Sequence, residues 1–190
     1  QKIQSGLLQN LKKTDLQNLN SGANSNTVEK LVQLQSGVST HSEFSSQYNV
    51  RGGSFDENSI YINGNEIYRP FLIKSGQQEG LSAISPYMVE NIDFSNGGFT
   101  AKYGDKMSSV LDITYKKPEK FESVVSASLM SADAYIGFGN KKFSWTNSFR
   151  YNNNRFLLNS LETSGEYRPN FTDYQTYFSY RPNSKWSFDI

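Results

Sequence analysis

Polar and apolar side chains alternate one by one along the C-terminal part of this chain, and that pattern constrains its fold more than any other feature. Trp186, Phe188 and Ile190 alternate with Lys185, Ser187 and Asp189. Tyr174, Phe178 and Tyr180 alternate with Asp173, Gln175 and Ser179. Phe143, Trp145, Phe149 and Tyr151 hold odd positions, Ser144, Thr146, Ser148 and Arg150 even ones, and Asn147 interrupts the apolar row. A period of two belongs to β-strands with two different faces. The alternation runs to Ile190 with no turn chemistry after it, so the chain reads as a piece of a larger β-protein.

Composition narrows the class. The formal net charge of +1 is too balanced for a nucleic-acid partner. Without cysteine there is no disulfide and no thiolate metal site. No stretch approaches the ~20 apolar residues of a membrane helix, and Gln1 opens no signal-peptide pattern. Aromatic residues reach 14%, yet mean hydropathy is −0.63. That balance suits a membrane β-barrel, where only every second residue of a strand must be apolar.

The chain divides near Pro118. Before it, helix and strand signals mix. Residues 5–20 carry spaced leucines, with Ser5 and Thr14 as candidate caps, and predict short helical turns. Thr27 caps a helix on which Val28, Leu31 and Val32 share a face, with Gly37 to end it. Ser59 to Ile62 reads as a strand, Asn63-Gly64 as a type I′ hairpin turn, and Glu66 to Tyr68 as the return strand. Glu79 to Ser85 predicts a helical turn that Pro86 ends. Glu90 to Phe94 and Leu111 to Tyr115 are further strands, giving four or five in an α+β unit. After Pro118 only strands and loops are predicted. Glu122 to Phe138 reads as one long segment that changes phase near Ser131, followed by strands over 143–151, 174–180 and 186–190.

Chemistry-bearing groups are few. His41 is the only histidine, and its neighbours Ser39, Ser42 and Glu43 are adjacent in sequence, which is not triad geometry. Asp56 and Glu57 have no third ligand at metal spacing. Gly52-Gly53 after Arg51 lacks a full phosphate-loop pattern. The aromatic row from Trp145 to Tyr151 is read as lipid-facing, with a sugar platform as the rival. No metal, cofactor or catalytic residue is assigned.

Six short pieces then occur in one order: Val28-Glu29-Lys30-Leu31-Val32 with Gly37-Val38; Val50-Arg51-Gly52-Gly53; Tyr61-Ile62-Asn63-Gly64; Val89-Glu90-Asn91-Ile92-Asp93; Gly97-Gly98 with Tyr103-Gly104; and Ser108-Ser109-Val110-Leu111-Asp112-Ile113. Together they resemble the plug domain of TonB-dependent outer-membrane receptors of the Bacteroidetes, SusC-like type. The resemblance implies a lead-in over 1–26, a plug over 27–118, and the first four or so strands of a barrel over 119–190. The implied fold is an α+β plug followed by antiparallel transmembrane strands, a fragment of a barrel of about 22 strands. Two departures stand out: Asn63 replaces a frequent Asp, and Asn96 a frequent Arg.

The same resemblance implies a function. A plug gates a wide barrel in the outer membrane of a Gram-negative bacterium, binds a scarce nutrient, and yields to a TonB-type energising protein. Partners would include outer-membrane lipid and a surface lipoprotein lid or other envelope subunits. Ligand contacts fall on Tyr68, Arg69, Phe71 and Lys74, with packing against the barrel wall as the rival role. Arg51 and Glu90 are expected to form plug–barrel ion pairs. The main alternative is a barrel subunit of an envelope complex that no longer transports. A soluble β-rich enzyme or adhesin has no catalytic constellation to support it.

Overall fold

A computed structural model describes residues 8–11, 27–40, 46–68, 70, 82–104, 107–128, 131–153 and 170–190. Two compact units divide the described chain, one reaching Tyr115 and the next starting at Lys116.

The first unit is built on a five-stranded sheet. Its strands are β1 (Leu8–Leu11), β4 (Asn58–Ile62), β5 (Asn65–Glu66), β6 (Val89–Ser95) and β7 (Ser109–Tyr115), in the order β1-β6-β7-β4-β5. β4 and β7 run parallel and the other neighbours antiparallel. A separate pair joins β2 (Val38–Ser39) to β3 (Asn49–Val50). Leu8 to Leu11 were expected to be helical. They pair instead with Ser95 to Ile92, because edge pairing and burial of Leu11 outweigh a weak helical preference. The described residues of this unit thus form seven strands, where four or five were expected.

One face of this sheet is apolar. Ile60, Ile92, Phe94, Leu111 and Ile113 are buried there, together with Val28, Leu31 and Val32 of the helix Val28–Gln33. Each such burial contributes roughly 1.5–3 kcal/mol. A helix this short is not stable alone, so packing of its apolar face has to hold it. Thr27 caps it, its hydroxyl accepting from Lys30 N at 3.4 Å. The helix ends at Leu34, before Gly37; that glycine takes a φ of +79° three residues later, in the turn into β2. The hairpin at Asn63-Gly64 forms as expected, with φ of +52° and +81°. The turn ahead of Pro86 is not helical in its described part; a 3-10 turn spans Pro86–Met88 instead, where proline's fixed φ suits the first position.

The second unit is an antiparallel meander of β8 (Glu122–Ala127), β9 (Ser131–Gly139), β10 (Phe143–Asn153), β11 (Asn170–Asn183) and β12 (Trp186–Asp189), paired in chain order. Among the described residues five strands form where four were expected, because the segment read as one is a hairpin. Ser128 N donates to Ser131 O at 2.7 Å, and the two hydroxyls meet at 2.8 Å. The phase change near Ser131 is this reversal: Val125 faces Ala134, and Ala127 faces Ala132.

The sidedness of these strands is inverted relative to a soluble sheet. Ser144, Thr146, Ser148 and Arg150 are buried, while Trp145 and Phe149 are 41% and 45% exposed. Asn147, the interruption in the apolar row, is satisfied on that outer face. Tyr174 Oη donates to its Oδ1 at 2.7 Å and Thr176 Oγ1 meets the same oxygen at 3.1 Å, while Trp145 Nε1 donates to Thr176 at 2.7 Å.

Candidate functional site

The first unit places Arg51, Asn63 and Asn96 in turns between its elements. Arg51 follows β3 in a left-handed conformation, φ +50°, and Gly52 after it has φ +79°. Its backbone N–H donates to Gly37 O at 2.9 Å. Its exposed guanidinium reaches the turn after β6, where Nη2 donates to Asn96 Oδ1 at 3.5 Å. Asn96 Nδ2 in turn donates to Ser36 O at 3.1 Å. An Arg at position 96 would set two guanidinium groups side by side, whereas Asn96 both accepts from Arg51 and ties down the helix-to-β2 turn.

Asn63 has an equally local role. Its Oδ1 accepts from Tyr115 N at 2.8 Å, and its own N–H donates to Ile113 O at 2.8 Å. The acceptor oxygen is what this position needs, and an Asp carboxylate carries the same one.

The polar face of the first sheet is a hydrogen-bonding surface. Asp93 and Asp112 are direct cross-strand partners, an arrangement that repels unless compensated. Asn10 and Asn91 donate to Asp93 at 2.8 Å each. Tyr103 Oη donates to Asp112 at 2.6 Å and Lys102 Nζ lies 3.3 Å from the same oxygen. Burial, then the bond to Asp112, raises the Tyr103 hydroxyl pKa, so it stays a donor at neutral pH. Its ring also packs on Tyr61 at 5.2 Å.

The expected site residues separate. Tyr68 is 81% exposed and borders a shallow cavity with Phe55, Asp56, Glu66 and Pro70. Arg69, Phe71 and Lys74 lie outside the described residues. Glu90 is exposed at the register shift between Val89 and Asn91 in β6.

The buried anion is Glu29, which sequence reasoning missed. It has no exposed surface and accepts from Ser82 Oγ at 2.6 Å. A Glu in the first turn of a helix is already explained by the macrodipole, which hides a second role. Its position next to Val28 on a helix packed by most of its circumference was the available signal. Tyr48 stands near it, fully buried, and burial with the Glu29 charge drives the phenol pKa well above its ordinary value.

The second unit carries one charged ladder on its polar face. Arg150 is the cross-strand partner of Asp133 on β9 and Asp173 on β11. Its Nη2 and Nε reach Asp173 Oδ2 at 2.6 and 3.0 Å, and Gln175 Nε2 donates to the same oxygen at 2.8 Å. Among the described residues no cluster of three His, Asp or Glu could hold a metal.

Residues 6–110 match the family described as TonB-dependent Receptor Plug Domain. No curated protein matches the chain in sequence. Among solved structures, a G324V mutant of the ferric enterobactin receptor PfeA of Pseudomonas aeruginosa superposes with a TM-score of 0.63 at 14% identity, over 98% of this chain and 32% of its own. The siderophore receptor PirA of Pseudomonas aeruginosa gives 0.60 at 16% identity, over 98% and 34%. The outer membrane transporter YddB of Escherichia coli gives 0.62 at 11% identity, over 95% and 31%. The chain therefore spans about a third of the length of these receptors, and at such identities the likeness is one of fold.

Proposed function

Since this chain belongs to the TonB-dependent receptor plug family, we propose that it is the gate and opening strands of an outer-membrane importer in a Gram-negative bacterium. Receptors with this plug are transporters, not enzymes. The observation that carries the reading is the inverted sidedness of β10, with Ser144, Thr146, Ser148 and Arg150 buried and Trp145, Phe149 and Tyr151 exposed, joined to a plug. Such strands suit a closed barrel, which satisfies every backbone group in lipid. β9, β10 and β11 have 9, 11 and 14 residues, against the ~9–11 needed to cross.

Five strands also give a consistent orientation. If β8 starts at the periplasmic side, the turns after β9 and after β11 return there, and the Ser128–Ser131 reversal falls on the outward side. The paired strand ends at Asn153 and Asn170 then lie on the outward side, where ligand arrives. The barrel is completed by strands beyond this chain, to about 22.

Ligand contact at Tyr68, Arg69, Phe71 and Lys74 belongs to this proposal, as do pairing of Arg51 and Glu90 with the barrel wall and drive by a TonB-type partner. A ferric siderophore is the first ligand to try, since two of the similar receptors are named for one. The SusC-like, Bacteroidetes-type assignment rests on the six motif pieces alone, and a lipoprotein lid stands or falls with it. The test is growth on a chelated nutrient as the limiting source in a strain with the full receptor gene deleted, complemented by the intact gene or by one lacking residues 27–118. Rescue by the intact gene, and passive leak of large antibiotics through the plugless barrel, are expected. Unimpaired growth without the gene would overturn transport.

The same Asn96 geometry favours a second reading, a barrel subunit that no longer transports. Its side chain is committed within the plug, where the resemblance would put an Arg free to face the wall. Stable co-purification with other envelope proteins, combined with dispensability for uptake, would select it.

A further inference from the structure

Two cations oppose each other at one end of the second sheet. Phe143 pairs with Tyr180, and Arg181 N donates to Lys142 O at 2.6 Å, so the next pair in register is Lys142 with Arg181. The strand period of two puts both on the polar face, one step beyond the buried pair Ser144 and Ser179. Like charges set directly opposite destabilise a sheet. The same face shows the compensated case farther along, where Arg150 stands between Asp133 and Asp173. Lys142 instead adjoins the turn after β9, whose Asn140 Oδ1 accepts from Lys142 N at 2.8 Å and from Phe143 N at 3.1 Å. Those bonds fix the backbone that carries Lys142 against Arg181.

Lys142 and Arg181 line one shallow cavity with Lys117 and Lys141, and Ser144 and Ser179 border it. Lys117 is matched by Asp189 at 2.9 Å. Among the described residues Lys141, Lys142 and Arg181 have no ion pair. The one acid among the residues lining the cavity is Glu119, which leaves an excess of two positive charges there. A single carboxylate would offset only half of that excess. A phosphate ester carries about −1.5 to −2 charges at neutral pH. Its oxygens also suit the donors present: a guanidinium fork, ammonium point charges and serine hydroxyls.

We propose that this cavity binds a phosphate group, free or esterified, with Lys142 and Arg181 as the paired contacts and Lys141 beside them. An anion between Lys142 and Arg181 relieves an opposition that the fold otherwise leaves standing. Lys120 and Lys185 supply the contrast: they are exposed and without an ion pair among the described residues, yet they do not line the cavity. The site is therefore a local arrangement and not the general positive charge of this end. It rests on the geometry of this sheet alone and holds whether or not the outer face meets lipid.

The test titrates inorganic phosphate into the complete receptor in an uncharged detergent, by calorimetry at fixed ionic strength. Saturable binding is expected, weakened roughly tenfold or more in the Lys142→Gln, Arg181→Gln variant and unchanged in the Lys120→Gln, Lys185→Gln variant. Equal loss in both variants would reduce the effect to diffuse charge and overturn the site, as would the absence of saturable binding by the unaltered receptor. Amine labelling of the unaltered receptor, read residue by residue, gives a second measurement that needs no variant to fold. Phosphate should slow labelling of Lys141 and Lys142 and leave Lys120 and Lys185 unprotected. Labelling that phosphate does not change at Lys141 and Lys142 would also overturn the site. Glycerol phosphate separates the two sources: its competition with inorganic phosphate supports an esterified ligand, and its failure to compete supports the free ion.

Discussion

Ser82 donates its hydroxyl hydrogen to Glu29 Oε1 across 2.6 Å, where neither residue reaches solvent to any useful extent. The bond joins the first helix to the segment ahead of β6, residues 53 apart in the chain. Ser82 Oγ also accepts from Ile84 N at 3.0 Å, so one hydroxyl fastens the turn and its anchor together.

Replacing Glu29 by Leu should free that segment. Leaving Ser82 and its neighbours without this acceptor costs about 1–3 kcal/mol. Hydrogen exchange in the complete receptor should speed up at residues 82–88 while β7 keeps its protection. Unchanged exchange at 82–88 would show that the carboxylate holds nothing there.

Glu57 confers a pH dependence on the turn at Gly53. Hydrogen bonds from the Ser108 hydroxyl, at 2.6 Å, and from Ser54 N lower its pKa. A lowered carboxyl pKa means stabilisation present above the ordinary Glu value of about 4.3 and lost as pH falls through the lower folded value. Proteolytic nicking at residues 53–57 should rise in that acid window and not between pH 6 and pH 8, both conditions of roughly neutral range. Glu57→Gln should flatten the response, and a response that survives in this variant would assign it elsewhere.

Gly53→Ala should disrupt the same contact without touching a charge. A Cβ there would stand 2.1 Å from Ser108 Oγ and 2.6 Å from Glu57 Oε2, so one of them must leave. Overpacking of this kind costs typically about 1–3 kcal/mol. A fall in plug thermal stability of that size, larger than for Gly104→Ala, where a Cβ meets open space, is the expected calorimetric result.

Arg150→Leu should weaken the second unit by removing the cation that bonds Asp173. Asp173 is 10% exposed and would lose its cationic partner; breaking a buried pair from one side costs about 3–5 kcal/mol. Phe149→Arg, one residue away on the outer face, should cost about 2–4 kcal/mol if that face meets lipid. Urea titration of the folded barrel band measures both. Tolerance of Phe149→Arg would argue that the outer face is wet.

Much of this was legible in the chain because the signals are local. Period-two alternation marked β10 and β11, Asn63-Gly64 marked a turn that needs two positive φ values, and Thr27 marked a helix start. The same alternation could not separate β8 from β9, since a phase change reads alike whether it comes from a bulge or from a reversal; only the Ser128–Ser131 closure decides. Leu8 to Leu11 show the opposite limit, where weak helical spacing gave way to pairing with β6.

What the sequence determined by itself was thus the kind of surface each segment carries: two-faced strands, an apolar helix stripe, turns at glycine and asparagine. The tertiary structure alone decided which groups from distant segments meet. Glu29 became a buried acceptor because Ser82 was folded over it, Asn96 a partner of Arg51 because two turns lie side by side, and Lys142 a neighbour of Arg181 because antiparallel pairing brings alternate turns to one end. Periodicity is written in near neighbours, while partnership is set by chain reversal and burial, which no local pattern records.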